Sequence, residues 1–217
     1  ELISMANRIL KTLLPNTKIK LHINSLGTRE NLKDFKSILS KFFNENKKFL
    51  SKESVDKINS NPLRILDSKK YEDSEIIQKS PKLIEFLSKS DLKAYEEIKK
   101  CLSDLNILFY EDPTLVRGLD YYCNTVFEFK TNEIGSQDTL IGGGRYDGLI
   151  NILGGKDIPG VGWAGGIERI MLLMDKINFE DESIHFAILD PDFKKHALKV
   201  YDLLIQNNYS VYWNYKY

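Results

Sequence analysis

Three short stretches between Leu115 and Leu173 combine arginine with glycine: LVRGLDYY at 115–122, GGGRYDGL at 142–149 and GVGWAGGIERIMLL at 160–173. Each sets one guanidinium (Arg117, Arg145, Arg169) beside residues of little bulk. That pairing suits a place where backbone must approach an anionic ligand and a planar fork of donors must grip it. Three such stretches in order, separated by strand-like runs, point to a nucleotide-handling site rather than to scattered turns.

Taken singly, the stretches leave alternatives open. Arg117 ends an extended segment before two tyrosines, so its guanidinium can reach a carboxylate or phosphate with two parallel hydrogen bonds; a surface residue paired to Asp120 or Glu111 is the plainer alternative. Tyr121 and Tyr122 are adjacent, and an extended backbone would send them to opposite sides, so that one lines a pocket; ordinary strand tyrosines are the alternative. The Gly142–Gly144 run has neither the lysine of a Walker loop nor the glycine spacing of a dinucleotide fold. It is either a strand on which a ligand lies directly or a tight turn at positive φ. The third stretch is the most informative. GVGWA passes through Gly165 and Gly166 into a helix with Ile167, Glu168 and Arg169 in its first turns, placing an arginine and a helix N-terminus at a glycine-lined floor suited to polyphosphate. Glu168 reads as a helix-start acid, and His22, His185 and His196 fall outside the stretches.

The elements that position these residues show in the periodicity. Leu2, Ile3, Ala6, Ile9, Leu10, Leu13 and Leu14 share one helical face up to Pro15, and KIKLHINSLG then alternates as a half-buried strand ending in a turn at Ser25–Gly27. From Thr28 to about Lys100 the texture turns to lysine, asparagine, serine and glutamate at helical spacing, with Phe35, Ile38, Leu39, Phe42 and Phe43 as one stripe and Leu92, Tyr95, Ile98 and Leu102 as another. Pro62 and Pro81 divide it into short helices, and the Ser80-Pro81 step predicts a helix start. This module carries more lysine than acid, consistent with phosphate attraction or with a solvated face. Strand candidates follow at 106–110, 122–130, 139–142 and 160–163, with helices at 147–153 and 166–174. No long crossover helix separates these strands, so an antiparallel sheet is expected. After Asp181, strand, helix (193–206) and strand (209–213) predict a right-handed parallel crossover that opens an α/β unit.

Composition narrows the class. Lys plus Arg equals Asp plus Glu at 31 each, so no overall field draws the chain to nucleic acid or membrane, and 42% hydrophobic residues can supply a core. Cys101 and Cys123 show no metal or disulfide spacing and read as reduced thiols. No apolar run approaches the ~20 residues of a membrane span, and ELISMANRIL lacks a signal-peptide pattern. A cytoplasmic protein is expected.

LVRGLDYY, GGGRYDGL and GVGWAGGIERIMLL together resemble, in that order, the two histidine signatures and the third class motif of the histidyl-tRNA synthetases, which are class II aminoacyl-tRNA synthetases. The similarity continues through INSLG at 23–27, NPLRILDSK at 61–69 and TVFEF at 125–129. The resemblance implies an α+β fold: the class II antiparallel sheet with flanking helices, a helical insertion, and the start of an α/β anticodon-binding domain. In these terms 1–27 is part of the catalytic domain, 28–104 the insertion, 105–178 the catalytic core and 182–217 the beginning of the anticodon-binding domain. It implies ATP-dependent activation of L-histidine, transfer to tRNA(His), ATP accompanied by Mg2+ as substrate with no tightly bound cofactor, and a homodimer.

Carried onto this chain, the resemblance makes Arg117 the arginine at the histidine carboxylate and α-phosphate, with Tyr121, Tyr122 and Tyr146 holding the histidine. Arg169 binds the ATP γ-phosphate, with Gly144 and Gly166 leaving room for the nucleotide. Nothing resembles the first-motif helix and strand of the family dimer, the second-motif arginine loop, or the upstream residues that complete the histidine pocket; all would precede Glu1. A piece of a longer protein, inactive in histidine-dependent ATP–pyrophosphate exchange on its own, is therefore expected. Two rival readings are an idle synthetase-like regulatory subunit of ATP phosphoribosyltransferase and a non-catalytic tRNA-binding or sensor domain fused to another enzyme.

Overall fold

The computed structural model describes all residues except 118, 120, 136, 137, 176–182 and 214–217. The chain divides into two compact units, Glu1–Met174 and Asp175–Tyr217. Helix α1 (Leu2–Leu13) buries Ala6 and Leu10 and leads into strand β1 (Lys20–Ser25). Thr28 then opens α2 (Arg29–Glu45) with a reciprocal cap: its side chain accepts from Asn31 N–H, and the Asn31 side chain accepts from Thr28 N–H. The helix buries Leu32, Phe35, Leu39 and Phe43, the three-and-four spacing of one face.

Short helices follow: α3 (Lys52–Lys57), α4 (Leu63–Leu66) and α5 (Tyr71–Lys79), then the longer α6 (Lys89–Asp104). The Ser80-Pro81 step closes α5 rather than opening a helix, with Ser80 Oγ donating to the Ile77 carbonyl. A proline suits either end, and here Lys82 to Phe86 form only a single 3-10 turn beyond it. What locks these pieces together is Asp73. Its fully buried carboxylate accepts from Ser51 N–H, Ser51 Oγ, Ser54 Oγ and Ser68 Oγ at 2.5–2.9 Å. Burial alone would raise its pKa, but these donors hold it below the usual carboxylate range.

The sheet is completed by β2 (Phe109–Glu111), β3 (Cys123–Lys130), β4 (Thr139–Arg145) and β5 (Val161–Gly165), with the one-turn helix α7 (Leu149–Ile152) before β5 and α8 (Ile167–Leu173) after it. The spatial order is β2-β1-β3-β4-β5. Every neighbouring pair is antiparallel except β1 and β2. That pair is parallel because the whole helical insertion runs between them, and a parallel return needs such a crossover.

Register decides what each face carries. One face presents two rows of side chains, Leu21–Phe129–Ile141–Gly165 and Ile23–Phe127–Gly143–Trp163. Its apolar residues form one cluster with Ala6, Leu10, Tyr95, Leu102 and Ile170 from α1, α6 and α8. The other face presents His22–Glu128–Gly142–Ala164 and Asn24–Val126–Gly144–Gly162. It is polar over β1 and β3 and bare over β4 and β5.

In the second unit β6 (Ser183–Phe186), α9 (Lys194–Gln206) and β7 (Ser210–Trp213) follow in order, and β6 pairs in parallel with β7 from Ser183↔Ser210 to Phe186↔Trp213. The parallel strand–helix–strand expected from the sequence is present. The expected last strand covers 209–213, and residues 214–217 of the aromatic-alternating SVYWNYKY segment lie outside the described residues.

Candidate active site on the polar face of the sheet

Arg117 reaches this face from the segment after β2. Asp112 N–H donates to the Ile23 carbonyl at 2.9 Å, and Asp112 Oδ1 accepts from both the N–H and the hydroxyl of Thr114. Asn24 Nδ2, itself buried, donates to the Leu115 carbonyl at 2.9 Å. His22 Nδ1 lies 3.1 Å from Asp112 Oδ2, so the histidine given no chemistry in the sequence anchors this segment. Burial would raise the Asp112 pKa, but His22, Thr114 and Lys130 override it and hold it far below the usual range. Leu115 and Val116 are buried in the apolar cluster of the insertion, together with Tyr122 and Val126.

The Arg117 guanidinium lies flat on β4 at Gly142, where an added Cβ would sit 2.5 Å from Nη1. It also lies over the Tyr122 ring, 5.4 Å from the centroid. Glu111, the first alternative, pairs with Lys99, and Arg117 Nη1 pairs with Glu128 Oε1 from the middle of β3. The Asp120 alternative lies outside the described residues. Glu128 Oε2 accepts from Thr139 Oγ1 at 3.1 Å and pairs with Lys130 Nζ at 3.1 Å. Among the described residues the buried Arg117 Nε has no hydrogen-bond partner.

The three tyrosines gather beside it. Tyr121 and Tyr122 are not on opposite sides, because they belong to the turn before β3 rather than to a strand; their ring centroids are 4.6 Å apart. Tyr146 meets both edge-on, at 6.0 and 6.1 Å. Burial and a hydrogen bond with Tyr121 push the Tyr122 hydroxyl pKa up, against the pull of Arg117. Tyr146 is fitted between glycines: its ring lies on Gly160, and its hydroxyl would be 2.7 Å from a Cβ at Gly162.

Gly142–Gly144 form extended strand, with positive φ confined elsewhere among the described glycines. The tight-turn alternative therefore falls. What lies on the run is protein: Arg117 on Gly142, and Tyr122 and Val126 against Gly144. Arg145 does not join the site. Alternation on β4 sends it to the opposite side from Gly142 and Gly144, where its Nε pairs with Asp147 at 2.6 Å.

Arg169, on the first turn of α8, donates from Nη1 to the Thr139 carbonyl at 2.7 Å. Thr139 thus touches both arginines' networks, by its carbonyl to Arg169 and by its hydroxyl to Glu128. The expected free helix N-terminus is not offered at Gly166, whose N–H donates to the Leu140 carbonyl at 2.9 Å while its Cα backs onto the Arg169 stem. The insertion reaches the same place. Asp67, after α4, has its pKa raised by burial and by the neighbouring Glu128 charge, and Lys69 pairs with Asp138 at 2.9 Å.

Glu128, Thr139 and Asp67 went unassigned in the sequence. A signal for Glu128 existed in TVFEF, where an acid alternates with phenylalanines and must face away from them. For Thr139 and Asp67 there was none, since their proximity depends on sheet register and on how the insertion folds back.

A mainly antiparallel sheet thus presents a glycine-floored polar face carrying Arg117, Arg169 and the three clustered tyrosines. The family model described as histidyl-tRNA synthetase matches residues 1–170. A histidine–tRNA ligase of Ehrlichia chaffeensis is 43% identical over 216 residues, covering 100% of this chain and 52% of the relative. The apo histidyl-tRNA synthetase of Staphylococcus aureus superposes with a TM-score of 0.63 at 28% identity, over 99% of this chain and 54% of that one. A Bacillus halodurans protein described as an ATP phosphoribosyltransferase regulatory subunit/histidyl-tRNA synthetase superposes at 0.55 over 98% and 57%, and at 17% identity it shares the fold alone. The chain belongs to the histidyl-tRNA synthetase family, and it spans about half the length of the relatives it matches.

Proposed function

We propose that the protein carrying this chain is a histidine–tRNA ligase, and that the polar face described above forms the histidine and phosphate side of its adenylate-forming site. In the first step a histidine carboxylate oxygen attacks the α-phosphorus of ATP, the bond to the bridging oxygen breaks, and pyrophosphate leaves. The tRNA(His) terminal ribose hydroxyl then attacks the acyl carbon and AMP departs.

Arg117 stabilises the charge that grows on the α-phosphate and aligns the attacking carboxylate, a task of positioning and electrostatics. Tyr121 and Tyr122 read the imidazole, Tyr146 holds the α-amino group, and Arg169 takes the γ-phosphate, with Gly144 letting Tyr122 close on the strand and Gly166 seating the Arg169 stem. Mg2+ is proposed to accompany ATP as part of the substrate. The complete protein is proposed to be a cytoplasmic homodimer. None of the described helices is long and apolar enough to cross a membrane.

The observation that carries this reading is the placement of Arg117: a guanidinium on a glycine strand, beside three clustered tyrosines, paired with Glu128 and still 21% exposed. Histidine-dependent ATP–pyrophosphate exchange by the full-length protein tests it. Exchange with histidine and with no other amino acid is expected. A folded full-length protein that binds histidine without exchange would overturn it and favour the idle regulatory reading.

A further inference from the structure

Glu128 sits between two cations and beneath the arginine proposed to do the chemistry, so its effect on that arginine can be argued in either direction. A carboxylate bound to Arg117 could act as a lock that competes with the substrate phosphate. It could instead hold the guanidinium in the orientation the reaction needs. Three features of the geometry decide between them.

Glu128 takes only one corner of the guanidinium, Nη1, and the Arg117 side chain keeps 21% of its surface exposed. Donors therefore remain for a second anion, which a competing lock would have consumed. The carboxylate itself is tied down, with its other oxygen held by Thr139 Oγ1 and Lys130 Nζ, both at 3.1 Å. A carboxylate shared between Arg117 and Lys130 cannot neutralise both, and one anchored at its far oxygen serves as a fixed post. Thr139 also accepts Arg169 through its carbonyl at 2.7 Å, so one residue touches the networks of both arginines.

We propose that Glu128 and Thr139 are positioning residues for adenylate formation, acting through Arg117: Glu128 fixes the guanidinium on Gly142, and Thr139 fixes Glu128. This rests on the reading of Arg117 given above. An arginine stem that must find its rotamer during the reaction loses the advantage of a preformed site, and displacement by about 1 Å costs on the order of 100-fold in rate.

The test is single-turnover histidyl-adenylate formation by the full-length protein, with KM values for ATP and histidine measured alongside. Glu128→Gln should lower the single-turnover rate by roughly 10- to 100-fold while both KM values stay within about twofold, the signature of a contact made in the transition state. Thr139→Val keeps the carbonyl that Arg169 uses and removes only the hydroxyl; it should lower the rate in the same way by about 3- to 10-fold. In an Arg117→Ala background Glu128→Gln should cost no more than about twofold further, since the two act as a unit.

A Glu128→Gln protein with an unchanged or faster rate, a purely KM effect, or fully additive losses in the double variant would each overturn the proposal. If Glu128→Gln fails to fold, Thr139→Val carries the same test, and a wild-type rate there overturns it. An Arg117→Ala protein with normal adenylation would instead remove the reading of Arg117 itself, an outcome separable from an intact Arg117 effect with a silent Glu128.

Discussion

The two faces of the same five strands are built on opposite terms. Toward α1, α6 and α8 the sheet presents Leu21, Ile23, Phe127, Phe129 and Ile141, a packed cluster that excludes water. Toward the site it presents His22, Asn24, Glu128, Lys130 and, beside the buried Val126, Gly142, Gly144 and Gly162, which supply hydrogen bonds and room for the Arg117, Tyr122 and Tyr146 side chains. Stability is concentrated on one side and chemistry on the other, one residue apart along every strand. The polar face can be bare because the apolar face and the insertion cluster hold the strands in place, so a site need not also be a core.

The sharpest way to break this division is to damage each face separately. Phe127→Ala empties a fully buried position and should lose about 3–5 kcal/mol of stability, read as a drop in the denaturant midpoint of the full-length protein. The molecules that remain folded should keep their KM for ATP. Arg117→Ala should do the converse, slowing adenylation by about 10²- to 10³-fold with little change in that midpoint. Equal losses of stability in both variants would show that the faces are not energetically distinct.

Adjacent glycines give a finer version of the test. A Cβ at Gly142 meets the movable Arg117 guanidinium, so Gly142→Ala should cost less than about 1 kcal/mol of stability but roughly 100-fold in adenylation. A Cβ at Gly143 meets the Gly162 carbonyl and the Trp163 backbone, which cannot step aside; Gly143→Ala should cost about 1–3 kcal/mol of stability instead. Matching phenotypes would remove the distinction.

The smallest effect expected is at Asp112, which holds the Arg117 segment. Its pKa is depressed in the folded protein, so its contribution is fully present above the unfolded value of about 3.9 and is lost as pH falls through the lower folded value. Asp112→Asn should therefore lower stability at pH 7 by about 1 kcal/mol. The gap to wild type should narrow as pH drops below roughly 4, measured by unfolding across a pH series. A gap that stays constant would mean the carboxylate charge contributes nothing.

Much of this was legible in the residues. Helix α2 announces itself by Phe35, Ile38, Leu39, Phe42 and Phe43, and β1 and β3 by alternation, because burial on one face imposes its period on the sequence. The three arginine–glycine stretches marked the site for a similar reason: bare backbone and guanidinium have few other joint uses. Ser80-Pro81 was misread because proline tolerates either end of a helix, and only the following residues' failure to continue decides it. Arg145 shows a different limit. It is as cationic and as glycine-flanked as Arg117, but strand parity turns it away.

By itself, then, the sequence determined the family, the order of the elements, the apolar faces and the presence of Arg117, Arg169 and the tyrosines. These follow from local chemistry and periodicity, which act between neighbours along the chain. Tertiary structure decided which arginine meets which acid, that the glycine run carries Arg117 and Tyr122, and that Thr139 joins the networks of Arg117 and Arg169. Those facts join residues 11 to 30 apart in the chain. They depend on strand register, in which a slip of one residue would exchange the two faces.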